Sequence, residues 1–371
     1  MATTIGNYLD KLTVTGEIYE KLEDNAVRCY ACGHRCMIRE GKRGICQVRF
    51  NEGGELRVPW GYVAALQSDP IEKKPFFHVL PSANALTFGM LGCDFHCGYC
   101  QNWLTSQAMR DPSSDESIDH IRKMTPQEMV RLAHRTNASA VVSSYNEPLI
   151  TSEWGVQIFK EAKAAGLLCA YVSNGNNTPE VMEYIRPYIS AYKVDLKSMQ
   201  DKNYRKLGGV LQNTLDGIKR AHAMGLWVEI VTLTIPGFND SNEELWDAAR
   251  FIAGVSRDIP WHVTAFHKDY KMTDPDNTDA KILLRAAEIG KEAGLRFVYA
   301  GNLPGQVGEY EDTFCPTCNF KLVKRRGYII EEYHVTSQGN CPRCAEKVPG
   351  IWHAHPSQVV LNGRGMPEPV Y

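Results

Sequence analysis

The chain has 371 residues, with 41 lysines and arginines against 43 aspartates and glutamates, and a formal net charge of −2. So even a balance excludes the global basic field that nucleic-acid or membrane-surface binding needs, and no apolar run is long enough to span a bilayer. The opening MATTIGNYLDKLTVTGEIYE lacks a basic segment followed by an apolar one, so it is not read as a secretory signal and the chain is expected in the cytoplasm. Twelve cysteines in a reducing compartment point to metal rather than disulfides.

In chain order, the first cysteine group is Cys29, Cys32, Cys36 and Cys46. Four thiolates close a zinc site or hold an auxiliary iron–sulfur cluster. Nothing nearby marks an electron-transfer or substrate role, which favours zinc, and His34 could replace one cysteine. Arg35, Arg39, Lys42 and Arg43 read as a solvated face, with a docking surface for an acidic partner as the sharper alternative. Residues 1–80 are therefore taken as a small metal-binding module.

From about residue 84 to 302 strands and helices alternate. Ala85–Leu91 is predicted as a strand running into FGMLGCDFHCGYCQN, which carries Cys93, Cys97 and Cys100. A cubane iron–sulfur cluster normally takes four thiolates. Three within eight residues leave one iron open to bind something, and no fourth ligand stands at a zinc-knuckle offset. Thr125, with Pro126 and Glu128, opens a helix as a capping box. Strands follow at Ala140–Ser144, Leu168–Ser173, Ala191–Asp195, Trp227–Thr234, Trp261–Phe266 and Phe297–Ala300. Helices fall between them: Trp154–Ala165 stopped at Gly166, one opened by Thr178-Pro179-Glu180, one carrying Leu211 to His222, one opened by Ser241 with Glu244, and one carrying Ile282 to Ala293. Cys169, in the apolar run LLCAYV, reads as a buried thiol. Repeated β-α alternation implies an α/β fold with a parallel sheet and right-handed crossovers. Six or seven units predict a partial (β/α)6–7 TIM-like barrel over residues 81–305, with chemistry at the C-terminal ends of its strands. Beyond it, Cys315-Pro-Thr-Cys318 and Cys341-Pro-Arg-Cys344 flank a β-rich segment. Residues 306–371 are read as a zinc-ribbon or rubredoxin-like module holding structural zinc, with a single iron next.

The C-x3-C-x2-C loop, with Tyr99 just before its last cysteine, resembles that of the radical SAM enzymes. The resemblance implies that Cys93, Cys97 and Cys100 hold a 4Fe-4S cluster whose open iron chelates S-adenosylmethionine (SAM). It also implies that the reduced cluster gives one electron to the sulfonium, and that the 5′-deoxyadenosyl radical so formed abstracts a hydrogen atom. The later strand ends are similar to the pyruvate formate-lyase activase-like branch. SYNEP stands in the place of its GGEP, which puts Tyr145, Asn146 and Glu147 at the methionine amino group. VSNG makes Asn174 a SAM contact. VDLKS places Asp195 and Lys197 at the SAM carboxylate or a nearby cation, and TIPGFND is similar to the branch's V-P-G turn. Tyr99 is implied to pack near the adenine. WHVTAFHKDYKM and VYAGNLPG, with SYNEP, resemble the radical SAM component of the AMMECR1/Memo/radical SAM trio. There His262, His267, Asp269, Tyr270 and Asn302 are candidates for the substrate side. His267, Asp269 and Tyr270 are the candidate catalytic residues, while His262, inside a strand, reads as a structural group. The implied partners are AMMECR1-like and Memo-like proteins and a flavodoxin- or ferredoxin-type reductant. A glycyl-radical-enzyme activase is the alternative. A nucleic-acid binder is disfavoured by the neutral charge and the lack of interleaved aromatic and basic residues.

Overall fold

The computed structural model of the chain describes residues 5–370. Its centre is a nine-stranded sheet built from β1 (Ala65–Pro70), β2 (Asn84–Gly89), β3 (Ala138–Ser143), β4 (Leu168–Ser173), β5 (Ala191–Asp195), β6 (Trp227–Thr234), β7 (Trp261–Ala265), β8 (Val298–Gly301) and β9 (Glu368–Pro369). The spatial order is β8-β7-β6-β5-β4-β3-β2-β1-β9, so the sheet is open, with β8 and β9 at its edges. From β2 to β8 every neighbouring pair is parallel and in chain order. The expected parallel α/β core is thus present. β1 and β9 add antiparallel strands on one side. They escaped the sequence reading because ALQSDP has no clean apolar alternation; its pairing comes from contact with β2.

The intervening helices begin where their caps predict. Thr125 and Glu128 form both arms of the capping box before helix Pro126–Arg135. The side chains of Thr178, Ser241 and Asp279 accept from backbone amides three residues on. Period-2 alternation then sorts the strands into two faces. Phe88, Val141, Tyr171, Tyr192, Ile230 and Val263 pack with helix residues such as Met129, Phe159, Ile218, Ile252 and Leu283. On β2 to β5 the other face carries small residues: Ala85, Ala140, Ala170 and Ala191. Small side chains leave that face the space in which polar groups can converge.

The N-terminal residues form two small antiparallel sheets, one of strands 13–15, 55–59 and 50–52, the other of 19–21, 27–29 and 37–38. A buried ion pair ties them to helix Ser152–Ala164: Arg49 reaches both Glu153 oxygens at 2.6 and 2.8 Å, and both side chains are 1% exposed. Arg49 also donates to the Ile150 carbonyl. Glu153→Ala leaves the guanidinium buried without its counter-charge, so a stability loss of about 3–5 kcal/mol is expected in anaerobic urea unfolding. A change below about 1 kcal/mol would show that water reaches the site.

The C-terminal hairpin Lys321–Arg326/Ile329–Tyr333 packs against the segment between β1 and β2. Arg325 donates to the Phe77 carbonyl, and the Ile351 amide donates to the His78 carbonyl while the Ile351 carbonyl accepts from the Leu80 amide. At this seam His78 lies fully buried, 2.7 Å from the Pro349 carbonyl through Nδ1 and 2.6 Å from the Tyr299 hydroxyl through Nε2. A carbonyl only accepts, so Nδ1 carries the proton and Nε2 receives the tyrosine's. Burial lowers the His78 pKa to about 4. The unfolded chain therefore binds the extra proton between about pH 6.5 and 4, and stability falls as the pH drops through that window. The expected loss is about 3 kcal/mol, read as unfolding free energy against pH. His78→Asn should flatten the slope; an unchanged slope would assign it to other groups. His262 behaves as expected of a structural histidine: it is buried, and its Nε2 donates to Glu229 at 2.7 Å. Glu229 also accepts from the Phe77 and His78 amides and the Trp227 indole, tying the seam to β6.

Candidate active site

The cysteine loop leaves β2 at its C-terminal end. Gly89 comes so close to the end of β3 that a Cβ there would lie 2.4 Å from the Ser144 carbonyl. The following residues wrap a small apolar cluster in which Phe95, Cys97 and Tyr99 pack with Tyr204, Leu207, Ile235 and Phe266. Tyr99 is 5% exposed and meets Phe238 edge to face. Cys97 is buried; Cys93 and Cys100 are half-buried. The Phe95 amide lies 3.4 Å from Cys93 Sγ, and the Ser106 hydroxyl 3.2 Å from Cys100 Sγ. Burial pushes all three thiol pKa values up, Cys97 to about 12, so free thiolates are disfavoured and deprotonation must come with metal ligation. Soft sulfur ligands with polar hydrogens aimed at them, in an apolar surround, fit an iron–sulfur cluster.

Asp94, directly after the first cysteine, is fully buried and organises the floor. Its two oxygens each accept a 2.7 Å bond, from Asn174 Nδ2 and from Asn176 Nδ2. Asn174 thus has its side-chain amide committed to Asp94, while its Oδ1 accepts the Asn176 amide. Glu147 is 2% exposed. It accepts from the Ser173 hydroxyl at 2.7 Å, the Asn174 amide at 2.8 Å and the Leu149 amide at 3.2 Å. It therefore clamps the end of β3 to the end of β4. Burial, with the Asp94 carboxylate adding to it, raises the Glu147 pKa. Asn146 holds the Met90 amide through Oδ1 and belongs to the same floor.

Tyr145 explains how SYNEP does without glycines. Its φ is 68°, a left-handed conformation that costs a bulky residue about 1–2 kcal/mol. Its hydroxyl donates to Asp69 at 2.5 Å, and the Lys74 ammonium sits 4.2 Å from its ring centre. Asp69 also pairs with Lys73 and Lys74. These contacts from β1 and the turn after it offset the strain. Asp69 and Lys74 were not found in the sequence, because they come from a strand that only tertiary pairing reveals.

Asp195 and Lys197 stand at the end of β5, joined by Lys193 two residues earlier. Asp195 binds Lys193 through Oδ1, and Lys197 lies 3.6 Å from Oδ2. Burial works against the Lys197 charge, but Asp195, Cys97, Tyr99 and Tyr204 together outweigh it, and its pKa lies well above the ordinary lysine value. Two ammonium groups share one carboxylate, so positive charge is left over beside Cys97 and Tyr99 for a ligand carboxylate. Lys193 was legible but missed: residues two apart in a strand share a face, and KVDLK puts Lys193 on the Asp195 side.

His267, Asp269 and Tyr270 lie in the loop after β7, against the outer side of the cysteine segment. His267 is exposed, with Nε2 2.8 Å from Gln101 Nε2. Asp269 accepts the Tyr270 amide. The Tyr270 hydroxyl donates to Asp111 at 2.5 Å and its ring stacks on Trp103 at 5.2 Å. The Lys271 amide donates to the Gly98 carbonyl. The structure thus brings this loop onto the cysteine loop, with Tyr270 bracing it and His267 at the rim. Asn302, at φ 65°, donates to the Ala265 carbonyl.

Cys315 and Cys344 Sγ stand 3.5 Å apart, and Cys318 and Cys341 Sγ 3.6 Å. All four sulfurs lie within 4.8 Å of one another. Cys29, Cys32, Cys36 and Cys46 line a common cavity with Arg49 and Ile150. Cys169 is buried in the core, as its surroundings predict.

Comparison with known proteins agrees with this geometry. Residues 88–252 match the family model for the radical SAM superfamily. An uncharacterized protein of Methanocaldococcus jannaschii is 36% identical over 335 residues, covering 89% of this chain and 97% of the relative. The pyruvate formate-lyase-activating enzyme of Staphylococcus epidermidis is 26% identical over 192 residues, 48% of this chain and 74% of that enzyme. Among solved structures, a radical SAM methyltransferase from Sphaerobacter thermophilus aligns with a TM-score of 0.46 at 14% identity, covering 80% of each chain. The chain belongs to the radical SAM superfamily and is an enzyme of that class.

Proposed function

We propose that the chain cleaves SAM reductively and directs the resulting radical to a hydrogen atom of a separate substrate. The observation that carries this reading is the cysteine loop after β2 set beside the Lys193–Asp195–Lys197 cluster at the end of β5, with Lys197 next to Cys97 and Tyr99. Cys93, Cys97 and Cys100 would hold the 4Fe-4S cluster, which when bound supplies the electron for SAM cleavage. The chain's residues do the positioning. Lys197 and Lys193 attract the methionine carboxylate, Tyr99 offers an apolar face, and Glu147, Asn174 and Asp94 hold the strand ends that carry the backbone of Tyr145 and Asn146. His267, Asp269 and Tyr270, at the rim, are proposed on the substrate side. The test is anaerobic reconstitution followed by reduction with SAM present, with 5′-deoxyadenosine measured by mass spectrometry; no nucleoside product from fully loaded protein would overturn the reading.

The similarity to a pyruvate formate-lyase-activating enzyme supports an activating-enzyme-like chemistry with a flavodoxin- or ferredoxin-type donor. The motifs SYNEP, WHVTAFHKDYKM and VYAGNLPG support the narrower reading, in which AMMECR1-like and Memo-like proteins are collaborators and the substrate is a small molecule or partner-bound intermediate. A glycyl doublet in EPR, formed in proportion to 5′-deoxyadenosine on a co-incubated glycyl-radical protein, would instead establish the activase reading. No helix among the described residues is long and apolar enough to cross a membrane, which agrees with the cytoplasmic placement proposed here.

The C-terminal quartet is proposed as a zinc site. Tetrahedral zinc–thiolate bonds of about 2.3 Å put neighbouring sulfurs about 3.8 Å apart, close to the 3.5 and 3.6 Å found. Protein purified in air is expected to hold about one zinc per chain, and Cys341→Ser/Cys344→Ser to lose it. Equal zinc in both samples would place the metal elsewhere.

A further inference from the structure

We infer that Cys29, Cys32, Cys36 and Cys46 hold a second iron–sulfur cluster of the four-thiolate cubane type, not a zinc ion. The molecule supplies its own yardstick. Among the described residues the C-terminal quartet alone brings three or more cysteine, histidine or carboxylate ligand atoms within 4.8 Å of one another. A single tetrahedral ion requires that closeness. The N-terminal four sulfurs stand wider, as do those of Cys93, Cys97 and Cys100 in the loop that matches the superfamily model. Ala31, Ile38, Gly44, Ile45 and Ile150 wall the space that the N-terminal four surround. A zinc ion bound directly by four thiolates draws them to single-ion spacing. A cubane holds them wider, because four irons and four sulfides lie between the ligating sulfurs.

The walls suit that occupant. Cys29, Cys32 and Cys46 are 5–6% exposed, and Ala31 and Ile38 are buried beside them, so water has little access. Arg49 lines the cavity. Its two terminal nitrogens are spent on Glu153 and Ile150, but its Nε is buried with no hydrogen-bond partner among the described residues. An N–H fixed there is a donor for a cluster or thiolate sulfur, the kind of bond that tunes iron–sulfur centres. The Ile45 amide, 3.5 Å from Cys36 Sγ, is a second. Four protein thiolates would saturate the four irons, so this site, unlike the central one, has no open position for substrate.

The two cysteine loops are in direct contact. A Cβ on Gly92, the residue before Cys93, would lie 2.7 Å from Val48 and 3.3 Å from the Cys46 carbonyl. Arg110 spans both loops, donating to the Ile45 carbonyl at 2.5 Å and the Phe95 carbonyl at 2.9 Å. The Gly33 amide donates to the Asn176 carbonyl, whose side chain holds Asp94.

The full-length Cys93→Ala/Cys97→Ala/Cys100→Ala variant isolates the second site. After anaerobic reconstitution with ferrous iron and sulfide, it is expected to retain about four irons and four sulfides per chain, against about eight of each in the unaltered protein. Its dithionite-reduced EPR signal should not respond to added SAM. Adding Cys36→Ser should take the iron to background while about one zinc remains in the C-terminal ribbon as a check on folding. Background iron with about two zincs in the triple variant would overturn the inference, as would four irons surviving Cys36→Ser. Neither result depends on SAM cleavage, so the central site's chemistry and this assignment can fail separately.

Discussion

Alanine at Cys93, Cys97 or Cys100 is expected to abolish 5′-deoxyadenosine formation. The three thiols come from one eight-residue loop, and no other cysteine, histidine or carboxylate ligand joins them in a tight group among the described residues. Removing one leaves two thiolates for a cluster that already has an open iron. The loss should therefore be of the cofactor itself rather than of affinity for SAM. Two measurements separate these cases: iron and sulfide at the central site, and nucleoside product after reduction. The loop is apolar and well packed around Phe95, Tyr99 and Tyr204, so loss of a sulfur should leave the fold standing; circular dichroism and the C-terminal zinc content check this. Turnover surviving in the triple variant would remove the radical SAM assignment of the loop.

Lys197→Ala should weaken SAM binding by roughly tenfold to a hundredfold, the equivalent of about 1.5–3 kcal/mol for one charge-assisted contact. Lys193 stays on Asp195 in that variant, so the carboxylate is not left bare, and the cluster should load normally. Affinity read from the EPR of the reduced protein with increasing SAM tests this. Glu147→Ala should weaken SAM binding too, by another route. Glu147 accepts from Ser173, Asn174 and Leu149, so its removal strands three donors, costs stability at about 1–3 kcal/mol per unpaired group, and loosens the ends of β3 and β4. The signature is a lower unfolding midpoint for Glu147→Ala and an unchanged one for Lys197→Ala. Unaltered SAM affinity in both variants would detach SYNEP and DLK from the SAM site.

The site was legible where chemistry is local in sequence. Cys93, Cys97 and Cys100 share one loop, and thiolates at that spacing have few other uses. Asp195 and Lys197 follow a strand whose end they mark. Asp94, Lys193, Asp69 and Lys74 were not picked out, for two different reasons. Asp94 and Lys193 sit beside residues that were recognised. Asp94 needed the question of what a carboxylate does in an apolar run, and Lys193 needed the two-residue period carried one step back. Asp69 and Lys74 had no local signal at all, since they reach Tyr145 through the antiparallel pairing of β1 with β2. Single side chains also gained structural partners that the sequence did not indicate. Asn174 and Glu147 were read as contacts to SAM, a reading that stands as a proposal; the structure adds that they bond to Asp94, Ser173 and backbone amides. An alignment with a motif gives the residue type at a strand end, whereas the partner of each oxygen depends on neighbours from other strands.

By itself the sequence determined the parallel α/β core, because helix caps such as Thr125 and Thr178, stop glycines such as Gly166, and alternating apolar runs are each encoded within a few residues. It also determined which thiols could act together, since their spacing is covalent. Tertiary structure alone decided how far apart those thiols stand. The C-terminal four are drawn to single-ion distance, where the C-P-x-C turns face each other across a hairpin. The N-terminal four are held around a cavity by a module pinned through Arg49 to Glu153, 104 residues away. Sulfur separation depends on packing between segments distant in the chain, and no local pattern carries that information.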